Sequence, residues 1–129
     1  MAATRCFPVV YVADAERSAA FYERLGFVRH FQLPPDGEPG YIGLRRGEAE
    51  LSVVLSSWPQ QQLGVQIGGG GPRFELFVYV DDVDASVAAL RDAGVTVLLG
   101  PEDMPWGERV GCVADPDGNP VSLAAQAAV

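Results

Sequence analysis

The tripeptide Val-Tyr-Val occurs twice, and each copy opens the same pattern. Val10-Tyr11-Val12 runs into Asp14, a helix-like stretch and Gly26, while Val78-Tyr79-Val80 runs into Asp82, a second such stretch and Gly94. The offset is constant, because 78−10, 82−14 and 94−26 all equal 68. Ser18 and Ala20 recur as Ser86 and Ala88 at the same spacing. A repeat that keeps its turn residue, its helix start and its helix-ending glycine in register signals two copies of one strand–helix unit. Half of a 129-residue chain is marginal alone, since small folds leave much of their surface in water. The expectation is one domain, 1–129, with module one at 5–57, a linker at 58–72 and module two at 73–126.

In the first module, Arg5–Val12 is rich in branched and aromatic residues and reads as a strand. Pro8 has no N–H for a ladder, so this strand should lie at an edge or carry a bulge. Asp14 is a helix N-cap, Ala15–Leu25 a helix and Gly26 its C-cap. Phe27–Gln32 follows as a strand, 33–40 as a proline-rich loop, and Tyr41–Leu44 with Glu50–Leu55 as a hairpin. The order is β-α-β-β-β. The second module repeats it: strand Phe74–Val80, helix Val83–Ala93 capped by Asp82, and strand Val95–Leu99. A loop at 101–107, strand Glu108–Ala114, the turn Asp115-Pro116-Asp117-Gly118-Asn119 and strand Val121–Ala124 complete it. Between the modules, Trp58-Pro59, three glutamines and Gly68–Gly71 have the composition of a linker.

Charge and composition exclude several classes. Seventeen acidic against nine basic residues give a net charge of −8, which repels phosphate backbones, so no nucleic-acid partner is expected. No apolar run is long enough to span a bilayer, and the first residues lack the apolar core of a secretion signal. The expected location is the cytoplasm, with no membrane partner. Cys6 and Cys112, both in strand-like stretches, read as two buried thiols of a reducing compartment. With one histidine and no nucleophile motif there is no Ser-His-Asp grouping, and Gly68–Gly71 lacks the Lys-Ser/Thr of a phosphate loop.

Three stretches carry a family resemblance. Val12-Ala13-Asp14 through Phe21-Tyr22-Glu23-Arg24-Leu25-Gly26-Phe27, then Val80-Asp81-Asp82-Val83-Asp84-Ala85, then Asp115-Pro116-Asp117-Gly118-Asn119-Pro120 together resemble the vicinal oxygen chelate superfamily. That superfamily comprises glyoxalases, extradiol dioxygenases, thiol transferases acting on antibiotics, and bleomycin-resistance proteins that only bind their drug. The resemblance implies an α+β fold in which two β-α-β-β-β modules form a concave mixed sheet. It also implies metal-ligand positions at Phe7 and Glu75, which are again 68 apart, and at Ser122. The fourth falls near Leu51, or on Glu50 or Ser52 if the register slips by one. Phenylalanine has no lone pair and serine is a weak ligand, so no metal or other cofactor is expected. His30, the only histidine, is read as lying away from these positions.

The bleomycin-resistance branch is the nearer resemblance, through Pro105-Trp106-Gly107 before a strand and an Asp-Pro turn, Phe31 after Gly26-Phe27, and Tyr41 opening the next strand. It implies a protein that sequesters an aromatic antibiotic or related natural product without chemistry. The candidate ligand-binding residues are Phe7, Phe31, Tyr41, Trp58, Glu75, Trp106 and Ser122. The aromatic ones supply faces on which a flat ring stacks, although Phe7 and Tyr41 read equally well as core. Asp36, Glu38, Glu102 and Asp103 fall in loops, where they would favour a cationic tail. A lyase, isomerase or dioxygenase, weakly metal-dependent or using Glu75 as base, is the alternative, and a small-molecule sensor a third. A homodimer is the expected assembly.

Overall fold

The computed structural model describes residues 6–58 and 74–128. The chain divides into two compact units, Met1–Gly69 and Gly70–Val129. In the first, the elements run β1 (Val9–Val12), α1 (Ala15–Glu23), β2 (Val28–Leu33), β3 (Tyr41–Arg46) and β4 (Ala49–Leu55). In the second they run β5 (Leu76–Tyr79), α2 (Val83–Asp92), β6 (Val97–Asp103), β7 (Glu108–Ala114) and β8 (Pro120–Gln126). The sheets have orders β1-β4-β3-β2 and β5-β8-β7-β6, each with its first strand parallel to its last and the other pairs antiparallel. The repeated β-α-β-β-β order is thus the observed one. The stretch 59–73, which carries most of the expected linker, lies outside the described residues.

Each helix begins at the aspartate that the repeat singled out. Asp14 Oδ1 accepts from the Arg17 N–H at 3.1 Å, and Asp82 Oδ1 from the Ala85 N–H at 3.0 Å. Gly26 and Gly94, at φ +94° and +91°, take the left-handed turn that ends each helix region. The helices stop earlier than the sequence pattern suggests, at Glu23 and Asp92, because the last residues tighten into i→i+3 turns. On α1, Ala15, Ser18, Ala19, Phe21 and Tyr22 are buried, and the helix packs on β3 and β4. On α2, Val83, Val87 and Leu90 are buried, and Val87 sits close against Gly111 of β7.

An arginine clamps each helix to a strand. Arg29 of β2 donates from Nη1 and Nη2 to the two carboxylate oxygens of Glu16 at 2.9 Å each, and also reaches Glu23. Arg109 of β7 forks onto Asp84 and donates to Asp103 at 3.0 Å. Glu16 and Asp84 are again 68 apart. The guanidinium hydrogen bonds hold both carboxyls below their usual range. A lowered carboxyl pKa stabilises the fold above the ordinary carboxylate range, and that contribution is lost as pH falls through the lowered value.

Two expectations are corrected here. Glu102 and Asp103 are not in a loop: β6 runs through Gly100-Pro101 to Asp103, pairing Glu102 with Val110 and Asp103 with Arg109. A register shift between Leu99 and Glu102 takes up the proline, which by composition reads as a strand end. Cys112 is buried as expected, but Cys6 is exposed, ahead of the first ladder pair at Val9. Both thiols are free.

Replacing a capping aspartate leaves an orphan N–H at a helix start. Asp82→Ala should lower unfolding free energy by about 1 kcal/mol in urea titrations, with the slope against urea unchanged.

Candidate functional site

Strand pleating decides which side chains share a face. In β1, Val10 and Val12 are buried on the α1 side, so Val9 and Tyr11 lie on the other face. Val9 pairs with Ser52, and Ser52 with Gly43, so these belong to the face away from the helix. Leu51 is buried on the α1 side at 2% exposure. The last-strand position of module one is therefore Ser52. The second unit confirms the parity, because Val9 pairs with Ser52 as Phe77, 68 residues on, pairs with Ser122.

The open face of the first sheet holds a cleft of about 410 Å³. Its aromatic walls are Phe7, Phe31 and Tyr41. Phe31 and Tyr41 meet edge to face at 5.9 Å between centroids, and Trp58 stacks on Tyr41 at 6.5 Å and 29°. An edge-to-face aromatic pair contributes about 0.5–1.5 kcal/mol, enough to hold these rings in one arrangement. Phe31 is 49% exposed, so its ring is a surface and not core. Trp58 packs into this aromatic row, and the edge of its indole lies where a side chain at Gly40 would be.

The remaining lining is polar: His30, Arg45 and Ser52. His30 corrects the sequence reading, which set it apart. The β2–β3 register shifts between Arg29 and Phe31, and this bulge turns His30 onto the same face as Phe31. Gly43 makes the room, since a Cβ there would stand 3.2 Å from both His30 Nε2 and Phe31 Cβ. His30 Nε2 lies 3.6 Å from Glu50 Oε1, and Arg45 Nη2 lies 3.9 Å from the same oxygen. A glycine inside a strand was the available sequence signal for this close approach.

The second unit gathers a different set. Ser122 donates from Oγ to Glu75 Oε1 at 3.0 Å, with Ser122 buried and Glu75 exposed. Phe77 and Tyr79 follow on the face of β5 opposite buried Val78, 6.2 Å apart, and both are exposed. Trp106, 62% exposed, donates from Nε1 to Glu108 Oε1 at 2.8 Å. The Glu108 carboxylate also hydrogen-bonds the Tyr79 phenol and raises it above the usual phenol range. Glu108 thus tethers two exposed aromatics that the sequence reading did not connect.

The positions where the resemblance implies metal ligands carry Phe7, Ser52, Glu75 and Ser122. One has no lone pair, two are neutral hydroxyls, and the carboxylate is engaged by Ser122. This donor chemistry does not fit a divalent metal in either unit. Among the described residues, no group of three or more His, Cys, Asp or Glu side chains is gathered for one.

Comparison with known proteins places this geometry. The family profile of the Glyoxalase/Bleomycin resistance protein/Dioxygenase superfamily matches residues 6–123. The chain belongs to that superfamily. An uncharacterized protein of Mycobacterium bovis is 34% identical over 122 residues, covering 90% of this chain and 79% of its own. Among solved structures, a superfamily member from Sphaerobacter thermophilus aligns at a TM-score of 0.74 and 28% identity, over 95% of this chain and 97% of its own. A glyoxalase-related enzyme from Fulvimarina pelagi aligns at 0.77 and 26% identity, over 95% and 88%. No helix among the described residues is long and apolar enough to cross a membrane.

Glu108→Gln keeps an acceptor for the Trp106 indole but removes the carboxylate from Tyr79. In a phenolate-absorbance titration, one tyrosine should then ionise at lower pH than in the parent protein, with the remaining titration unchanged.

Proposed function

We propose that the protein binds and sequesters a flat aromatic natural product, an antibiotic of the bleomycin-resistance type, without altering it. The observation that carries this reading is the row Phe31–Tyr41–Trp58 beside a cleft in which Phe7 stands at a position that enzymes of the superfamily give to a metal ligand. Rings held in place by one another lose little freedom when a planar ligand stacks on them. His30, Arg45 and Ser52 then orient the ligand's polar edge. In the second unit, Trp106 and the Glu75–Ser122 pair are proposed as ligand-binding residues of that unit by itself. The proposed working form is a homodimer.

A second reading, an enzyme of the same superfamily, draws on one observation. His30, with Nε2 3.6 Å from Glu50 Oε1 at the cleft, forms a general acid–base pair by geometry. Glu75, exposed and bonded to Ser122, is a weaker candidate base because it stands in water and its carboxylate is already engaged.

Bleomycin and a panel of flat polycyclic antibiotics, titrated against protein fluorescence, should give saturable quenching, with each ligand recovered at unchanged mass. Tyr41→Ala, which removes the middle ring of the row, should weaken binding about tenfold. A ligand of altered mass whose turnover is lost in His30→Ala would establish the enzyme instead.

A further inference from the structure

A second cleft, of about 430 Å³, lies at the start of α1, and we propose that it is a binding site for a small organic ammonium ion, separate from the aromatic cleft. Its apolar walls are Pro34, Pro39, Leu55 and the indole of Trp58. Among the described residues, its charged lining consists of Asp14 and Glu38, with no basic side chain.

The chemistry selects the ligand. An indole face attracts cations through its quadrupole, and methylated ammonium ions gain further from contact with apolar walls. Two carboxylates set a negative local field. The N-terminus of α1 opposes it with only about half a positive charge, and that charge is already met by Asp14, whose Oδ1 accepts from the Arg17 N–H. A bare divalent cation is a poorer fit, because one of the few oxygens is committed to the cap and most of the wall is carbon. An anion meets two like charges.

The site is formed before any ligand arrives. The Gln32 side-chain amide donates to the carbonyls of Pro34, Pro35 and Gly37, at 3.1, 3.3 and 3.5 Å, which pins the loop. The Gly40 N–H donates to the Leu33 carbonyl and the Leu55 N–H to the Gly40 carbonyl, each at 2.9 Å, closing the loop onto β4. Trp58 is fixed between the bare backbone of Gly40 and the Tyr41 ring. A preorganised wall of this kind lowers the ordering cost of binding.

The test uses the full chain labelled with nitrogen-15, in which the two tryptophans give two indole N–H signals, assigned with Trp106→Phe. Choline is the probe, and 3,3-dimethylbutan-1-ol, its uncharged isostere, the control. Choline should shift the Trp58 signal saturably in the millimolar range and leave Trp106 in place, and the isostere should bind about tenfold more weakly. Glu38→Gln should weaken choline about threefold, and added salt should act in the same direction. Unshifted indole signals in the unliganded Glu38→Gln variant establish that it is folded. Equal responses to choline and the isostere, no response of Trp58, or no effect of Glu38→Gln would each overturn the proposal. Antibiotic binding at the aromatic cleft is read in a separate titration, so failure of one site is distinguishable from failure of the other.

Discussion

The apolar layer between one short helix and one four-stranded sheet is the contact on which each unit depends. A helix of nine or ten residues is marginal in water, and an aspartate cap starts it without holding it. The buried stripe Ala15, Ala19, Tyr22 against Val10, Val12, Ile42 and Val53, and the stripe Val83, Val87, Leu90 in the second unit, do so. Because strands are pleated, the residues that alternate with those of this layer are left on the other face of the sheet. Phe7, Tyr41 and Ser52 in one unit, and Glu75, Phe77 and Ser122 in the other, are site residues by this parity.

The two units share a scaffold and differ in what they present on it. Both have the capping aspartate, the arginine clamp onto an acidic residue of the first helical turn, and a serine at the same register of the last strand. The first unit adds a row of aromatic rings with a histidine, a glutamate and an arginine at its edge. The second offers a carboxylate held by a serine and a pair of aromatics tied to Glu108. This divergence in side chains on a repeated backbone is how one fold serves binding proteins and enzymes alike. It also makes the aromatic row the most informative feature for function, since nothing in the shared scaffold requires it.

Much of the fold was legible along the chain. The 68-residue echo located both helices and the order of strands, because caps, helix-ending glycines and apolar periodicity are local properties of sequence. Phe31, Tyr41 and Trp58 were readable as candidate rings, and the structure brings these three into contact. Trp106 and Glu75 lie in the other unit, each tied to a neighbour there.

What the chain alone left open was a matter of register and approach. The last-strand position read as Leu51, with Glu50 or Ser52 if the register slipped by one, until the pairing of Val9 with Ser52 matched that of Phe77 with Ser122, because a one-residue slip exchanges the two faces of a strand. His30 entered the cleft through a bulge, which is a property of two strands together and not of either alone. Glu102 and Asp103 became strand because β7 supplied partners across a proline. Sequence by itself determined the elements and the chemistry available, since those follow from neighbours within a few residues. Only the tertiary structure decided which side chains meet, since that depends on how distant strands align.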